Sequence, residues 1–253
     1  MKLSFTRKYA LFIPVIFLSC SSLFSFAAGN TTATEDAKAD DFDIKNSSFL
    51  LPQSLPGGHF SSSLFLVNVF LPPDWTLDVI KAPMISYAAK YTLPHSLNIQ
   101  ASVSTIFVST RLMAGPWWNY SVNNFHVGAG YQVAFNYGVL NQFGFHTTLT
   151  GWEQQPSVAA GYSFKNMAVT LRGDLYITNA LYLHEGGYTV PFTDTYVNGY
   201  SITTSLEQRL VKNKVMSVGF KCNYLRYHIL AWPAFPVNAY HYFVPEVHLG
   251  LNF

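Results

Sequence analysis

Six charged side chains stand out by position: Arg172 and Asp174, Glu207 and Arg209, then Lys221 and Glu246. Each falls in a segment where apolar residues take the alternate places. Residues two apart on an extended strand share a face, so Arg172 points with Asp174, and Glu207 with Arg209. Opposite charges on the same face of neighbouring strands can pair, and the expectation is either a charge network that partly closes an interior or solvated groups near the mouths of that interior. Other reactive groups are scattered. His59-Phe60-Ser61 sets an imidazole two residues before a hydroxyl, a base and a nucleophile, with no third group identified to orient the His. Asp41-Phe42-Asp43 is the only Asp-x-Asp, and no spacing ties Asp74, Asp78, Asp194 and His184 into a constellation. The eight histidines lack His-x₃-His and the two cysteines lack Cys-x₂-Cys, so neither metal nor cofactor is expected. Gly128 and Gly130 sit inside a strand pattern rather than a phosphate-binding loop, and read as sites of close packing.

The elements that must position these groups are strands. From Phe125 to Tyr137 apolar residues alternate with His126, Gly128, Gly130, Gln132, Ala134 and Asn136, the period of a strand with two unlike faces. Met167–Thr178, Tyr200–Leu210 and Met216–Tyr224 repeat the pattern and carry Arg172, Asp174, Glu207, Arg209 and Lys221 on the second face. Weaker alternation marks Pro83–Leu93, Leu97–Thr110, Leu140–Trp152 and Ser157–Phe164. Ser61–Leu71 is apolar on both faces. With the final segment this gives about ten strands, within a range of eight to twelve.

Composition decides which face meets what. Charged residues are 11% of the chain and aromatics 17%, against roughly 25% charge in an ordinary soluble domain. The second face is mostly Gly, Ser, Thr, Asn and Gln, suited to a confined lumen, so the apolar face is expected to meet lipid. No apolar run after residue 58 reaches the length of a spanning helix. A net charge of +2 implies no nucleic-acid partner. The fold expected is all-β: a transmembrane, antiparallel, up-and-down β-barrel over residues 59–253.

Before it, Lys2, Arg7 and Lys8 precede an apolar run and the small residues Ala27, Ala28 and Gly29, the layout of a secretory signal over residues 1–29. Leu18-Ser19-Cys20 also resembles a lipoprotein signal, with Phe17 where that pattern prefers Leu. Residues 30–58 are polar, then rich in Pro and Gly, and read as a flexible segment. Connections also alternate in length. Pro94–Ser96, Gly138–Val139, Lys165–Asn166 and Lys212–Lys214 read as short turns. Pro72–Ala82, Arg111–Asn124, Asn179–Gly199 and Leu230–Ala239 read as long loops on the other side, and Glu153–Pro156 as a short one. Trp117, Trp118, Tyr120 and Tyr182 then read as girdle or loop aromatics.

Val247, Leu249, Leu251 and Phe253 alternate to the final residue. This resembles the terminal strand of bacterial outer-membrane β-barrel proteins, and the resemblance implies an outer-membrane location, lipid contact and recognition of those four residues by the barrel-assembly machinery. His59-Phe60-Ser61 resembles the His-x-Ser of outer-membrane phospholipase and lipid A deacylase. The acidic pairs of the omptin proteases have no counterpart on an expected outer loop. The functional expectation is a non-enzymatic barrel, either a narrow or gated pore for small solutes or a structural, surface-interacting protein. The alternatives are a barrel hydrolase acting on envelope lipids or peptides, and a secreted soluble β-protein such as an adhesin or carbohydrate binder.

Overall fold

A computed structural model describes residues 42–76, 80–141, 146–185, 188–192, 195–211, 214–231 and 240–253. The expected signal and Cys20 lie outside them. Among the described residues eleven strands form: β1 (Phe60–Leu71), β2 (Ile80–Thr92), β3 (Leu97–Ile106), β4 (Ser109–Val122), β5 (Phe125–Leu140), β6 (Thr147–Ser163), β7 (Met167–Glu185), β8 (Tyr188–Phe192), β9 (Tyr196–Val211), β10 (Lys214–Leu225) and β11 (Tyr242–Asn252). Each pairs antiparallel with its chain neighbour up to β7, which passes to β9, and β11 returns to β1. Ten strands thereby close a barrel. β8 only extends the far end of β7. The seam runs from Ser63 opposite Asn252 to Val69 opposite Glu246, and Ser62 and Phe253 exchange N–H···O bonds at 2.8 and 3.3 Å.

Closure gives every strand two partners, so backbone groups are satisfied without water. Side chains sort by the pleat. Leu64, Ile85, Val133, Leu171, Ile202 and Leu249 point outward and are exposed, while Lys90, Gln132, Glu153, Asp174, Glu207 and Glu246 are buried. Charges on the outer face stand at strand ends, as at Lys81 and Lys214. A greasy outside around a polar inside inverts the soluble pattern and is that of a barrel in lipid. β1 is apolar on both faces because its inward residues Phe65, Val67, Val69 and Leu71 pack with Phe49, Met84 and Leu230 inside the barrel.

Several segment boundaries differ from the sequence reading. Arg111–Asn124 is not a loop: residues 111–122 belong to β4, and the connection from β3 is Phe107-Val108. Residues 153–156 lie within β6, which joins two expected strands into one, and Gly138-Val139 belongs to β5. Most of 179–199 is strand as well. The count of ten survives because one missed hairpin offsets one split strand. Both misread stretches hold a proline, a residue that breaks sheet ladders. Pro116 and Pro156 nonetheless face outward where pairing with one neighbour is interrupted, Pro116 in the ladder to β5 and Pro156 in the ladder to β7.

The barrel end where β1 begins and β11 finishes carries the tight connections. His95 and Ser96 adopt φ of 62° and 63°, and Asn123 adopts 54°, the left-handed geometry that twists with a hairpin. The opposite end carries the longer connections, Phe107-Val108 excepted.

Candidate functional site

The lumen is built in levels. At the terminal end the chain enters as residues 42–58, which follow a defined course inside the barrel mouth. Asp43 caps a single helical turn, Ile44–Ser47. The Lys45 ammonium donates to Asn123 O and Asn124 Oδ1 at 3.2 and 2.9 Å, tying this turn to the β4–β5 connection. Ile44 and Leu51 are fully buried against Ala168 and Val215.

The next contact is the most concentrated. The Glu207 carboxylate accepts from the backbone N–H groups of Phe49, Leu50 and Leu51 at 2.8, 3.1 and 3.1 Å. Ser48 Oγ and Asn252 Nδ2 donate to it too. Three successive amides converging on one carboxylate form an anion nest. Lys90, 2% exposed, donates to Phe49 O at 3.1 Å and stands over the Phe49 ring. Asn119 Nδ2 donates to Gln53 O, and the Ser54 N–H to Ser121 Oγ. Room for the segment comes from glycines: a Cβ on Gly161 would lie 2.5 Å from Leu51 Cδ1, and one on Gly128 2.9 Å from Pro52 Cβ.

The middle level holds the charge pairs. Arg172 Nε meets Asp174 Oδ1 at 2.7 Å, and Arg172 Nη2 donates to Gln132 and Ser157. The guanidinium lies 4.8 Å over Trp117, whose ring occupies the space a side chain on Gly130 would need. Trp117 therefore faces the lumen rather than the girdle; Trp118 and Tyr120 do point outward and stack. Higher up, Lys221 Nζ lies 3.8 Å from Glu246 Oε2, and Arg111 Nη2 lies 3.3 Å from Glu153 Oε2.

The far end is capped by residues 226–231. Asn198 donates to Tyr227 O and accepts the Tyr227 N–H, and Ser109 Oγ donates to Leu230 O. Tyr227 and Ile229 are buried with Leu149, Leu181 and Leu183; burial also raises the Tyr227 phenol well above its ordinary pKa. His228 Nδ1 accepts the Ala231 N–H at 3.1 Å, which places the ring hydrogen on Nε2, 3.0 Å from Glu246. Between plug and cap lies a cavity of about 240 Å³.

The six charges named from sequence thus divide. Arg172 with Asp174 and Lys221 with Glu246 form pairs, while Glu207 binds the entering segment and Arg209 stacks on Phe42 at 4.3 Å. Arg111, Glu153, Lys90 and His228 were missed. Arg111 and Glu153 fell in stretches read as loops; extending the alternation through Pro116 and Pro156 would have placed both inward. Lys90 and His228 carried no signal. Val247, Leu249, Leu251 and Phe253 all alternate with the inward Glu246, His248 and Asn252 on the seam strand. His59 Nδ1 and Ser61 Oγ are buried, and neither has a hydrogen-bond partner among the described residues, so the His-x-Ser couple is not joined. Asp41, Asp78 and Asp194 lie outside those residues.

No family model matches the chain, and no curated protein matches it. Among solved structures, Neisserial surface protein A aligns over 78% of this chain and 98% of its own, at 12% identity and a TM-score of 0.41. The KdgM porin aligns over 76% and 98%, at 8% identity and 0.39. The translocator domain of the autotransporter NalP from Neisseria meningitidis aligns over 80% and 90%, at 8% identity and 0.41. Likenesses this distant add no argument to what the strand register already carries. By its closed antiparallel register, outward apolar face and polar lumen, the chain has the fold of a ten-stranded transmembrane β-barrel.

Proposed function

We propose that the chain works in the bacterial outer membrane as a narrow, gated pore for small solutes, closed in this state by its own residues 42–58 and by the inward-folded residues 226–231. One observation carries the reading: a single carboxylate, Glu207, gathers the amides of Phe49, Leu50 and Leu51. A segment that is not itself a barrel strand, and whose densest polar contacts converge on one carboxylate, can leave without unfolding the strands. Ten strands enclose a lumen just wider than side chains alone would fill, so removing the segment opens a path. The pairs Arg172–Asp174 and Lys221–Glu246 then line the constriction. The outward set Val247, Leu249, Leu251 and Phe253 is the proposed contact for the barrel-assembly machinery.

Planar-bilayer conductance tests the pore. The intact refolded barrel is expected to be nearly silent, and deletion of residues 42–58 to give steady single-channel currents. Arg172→Ala in the deletion background should raise the unit conductance and shift its ion selectivity toward cations. A deletion variant that keeps heat-modifiable gel migration yet passes no current sinks the proposal.

A further inference from the structure

The charge pairs around the central cavity are not symmetric about it. Side-chain exposure is 17% for Arg111, 26% for Arg172 and 23% for Lys221, but 3%, 3% and 6% for their partners Glu153, Asp174 and Glu246. All three cations line the cavity and are more exposed than their partners; Asp174 and Glu246 also reach the lining, while Glu153 does not. The wall also donates hydrogen bonds to each carboxylate. Asp174 accepts from Arg172, Gln155, Ser157 and Ser201. Glu246 accepts from Asn223 and His228, and Glu153 from Asn136 and Thr178. What remains toward the cavity is the partly exposed cationic surface of Arg111, Arg172 and Lys221. The same cavity is also lined by the apolar Phe65, Val67 and Met84, together with Ser86, Ser104 and His248.

A space lined by partly exposed cations and by the apolar side chains of Phe65, Val67 and Met84 fits a ligand with an anionic head and an apolar body. We infer that the lumen binds a small amphipathic organic anion, with its carboxylate on Arg111, Arg172 and Lys221 and its apolar part against Phe65, Val67 and Met84. The inference rests on the pore reading above and names the solute class for it. At about 240 Å³ the cavity exceeds the roughly 150 Å³ that accommodates benzene in an engineered apolar core, which suits an aryl or short-chain carboxylate.

Isothermal titration of the full barrel, refolded with its N-terminal segment in a neutral maltoside detergent, tests this with four probes after subtraction of protein-free micelles. Phenylacetate is expected to bind at least about tenfold more tightly than 2-phenylethanol, which lacks the charge, or acetate, which lacks the ring; 2-phenylethylamine should give no saturable heat. Arg172→Gln combined with Lys221→Met should weaken phenylacetate about tenfold and leave 2-phenylethanol unchanged. Equal affinity for phenylacetate and 2-phenylethanol, no saturable phenylacetate heat, or an unaltered double variant each overturns the inference. The probe series uses the unmutated chain, so it decides the matter even where the variant does not fold. Open channels on deleting residues 42–58 without phenylacetate binding defeat the ligand class alone. Phenylacetate binding with a silent deletion barrel defeats the pore and leaves the site.

Discussion

Glu207 shows how much one buried carboxylate can organise. Its oxygens satisfy three consecutive backbone donors that have no strand partner, and hydrogen bonds to a charged acceptor contribute about 1.5–3 kcal/mol each. Glu207→Ala should free the amides of Phe49–Leu51, raising their hydrogen exchange by at least about tenfold in detergent, as read by mass spectrometry. Glu207→Gln, which keeps one acceptor oxygen, should fall between. Unchanged exchange in the alanine variant would show that Lys90 and Asn119 suffice to hold the segment. Gly130 poses a steric counterpart, because a Cβ there would sit 1.9 Å from Trp117 Cε3. Gly130→Ala must expel the indole from beneath Arg172, with a red shift in tryptophan emission and a destabilisation of about 1–3 kcal/mol.

Among the elements, two irregular pieces close what the strands enclose. The segment 42–58 and the connection 226–231 add to the ladders only at their edges, through Gly58 N–H to Thr92 O and Arg226 N–H to Asn198 O, yet both bury apolar residues inside the barrel. They differ in anchoring. The first depends on a charged latch, the second on Asn198, whose amide imitates a strand edge by both donating to and accepting from Tyr227. Leaving two buried backbone groups unpaired costs about 1–3 kcal/mol each. Asn198→Ala should therefore release the cap and expose Tyr227 to chymotrypsin in the folded barrel. Resistance equal to the unmutated chain would assign the anchoring to the apolar cluster of Leu149, Leu181 and Ile229 instead.

For the molecule as a whole, the sign of the polarity sets the solvent. Ile202 is 52% exposed at the middle of β9, beside the inward Thr203. On a lipid-facing surface, Ile202→Arg should cost about 2–4 kcal/mol near the bilayer midplane, measured by urea unfolding in phospholipid vesicles. On a water-facing surface the same change would cost almost nothing, so a null result would overturn the membrane reading. The outer face needs few charges because lipid covers it, and the lumen tolerates many because strand side chains saturate them.

The sequence by itself determined the strand class and the division of faces along β5, β7, β9 and β10, since a period of two is local and needs no partner to be read. It also placed Arg172, Asp174, Glu207 and Lys221 on the inner face. Only the tertiary structure decided which of these charges meet. Pairing depends on register between strands far apart in the chain, as Lys221 opposite Glu246 does on the β10–β11 ladder. The course of residues 42–58 was likewise beyond local reading, because a polar, Pro- and Gly-rich stretch has no period of its own. Its order comes from Glu207, some 158 residues away from Phe49, through amides that carry no mark in the sequence.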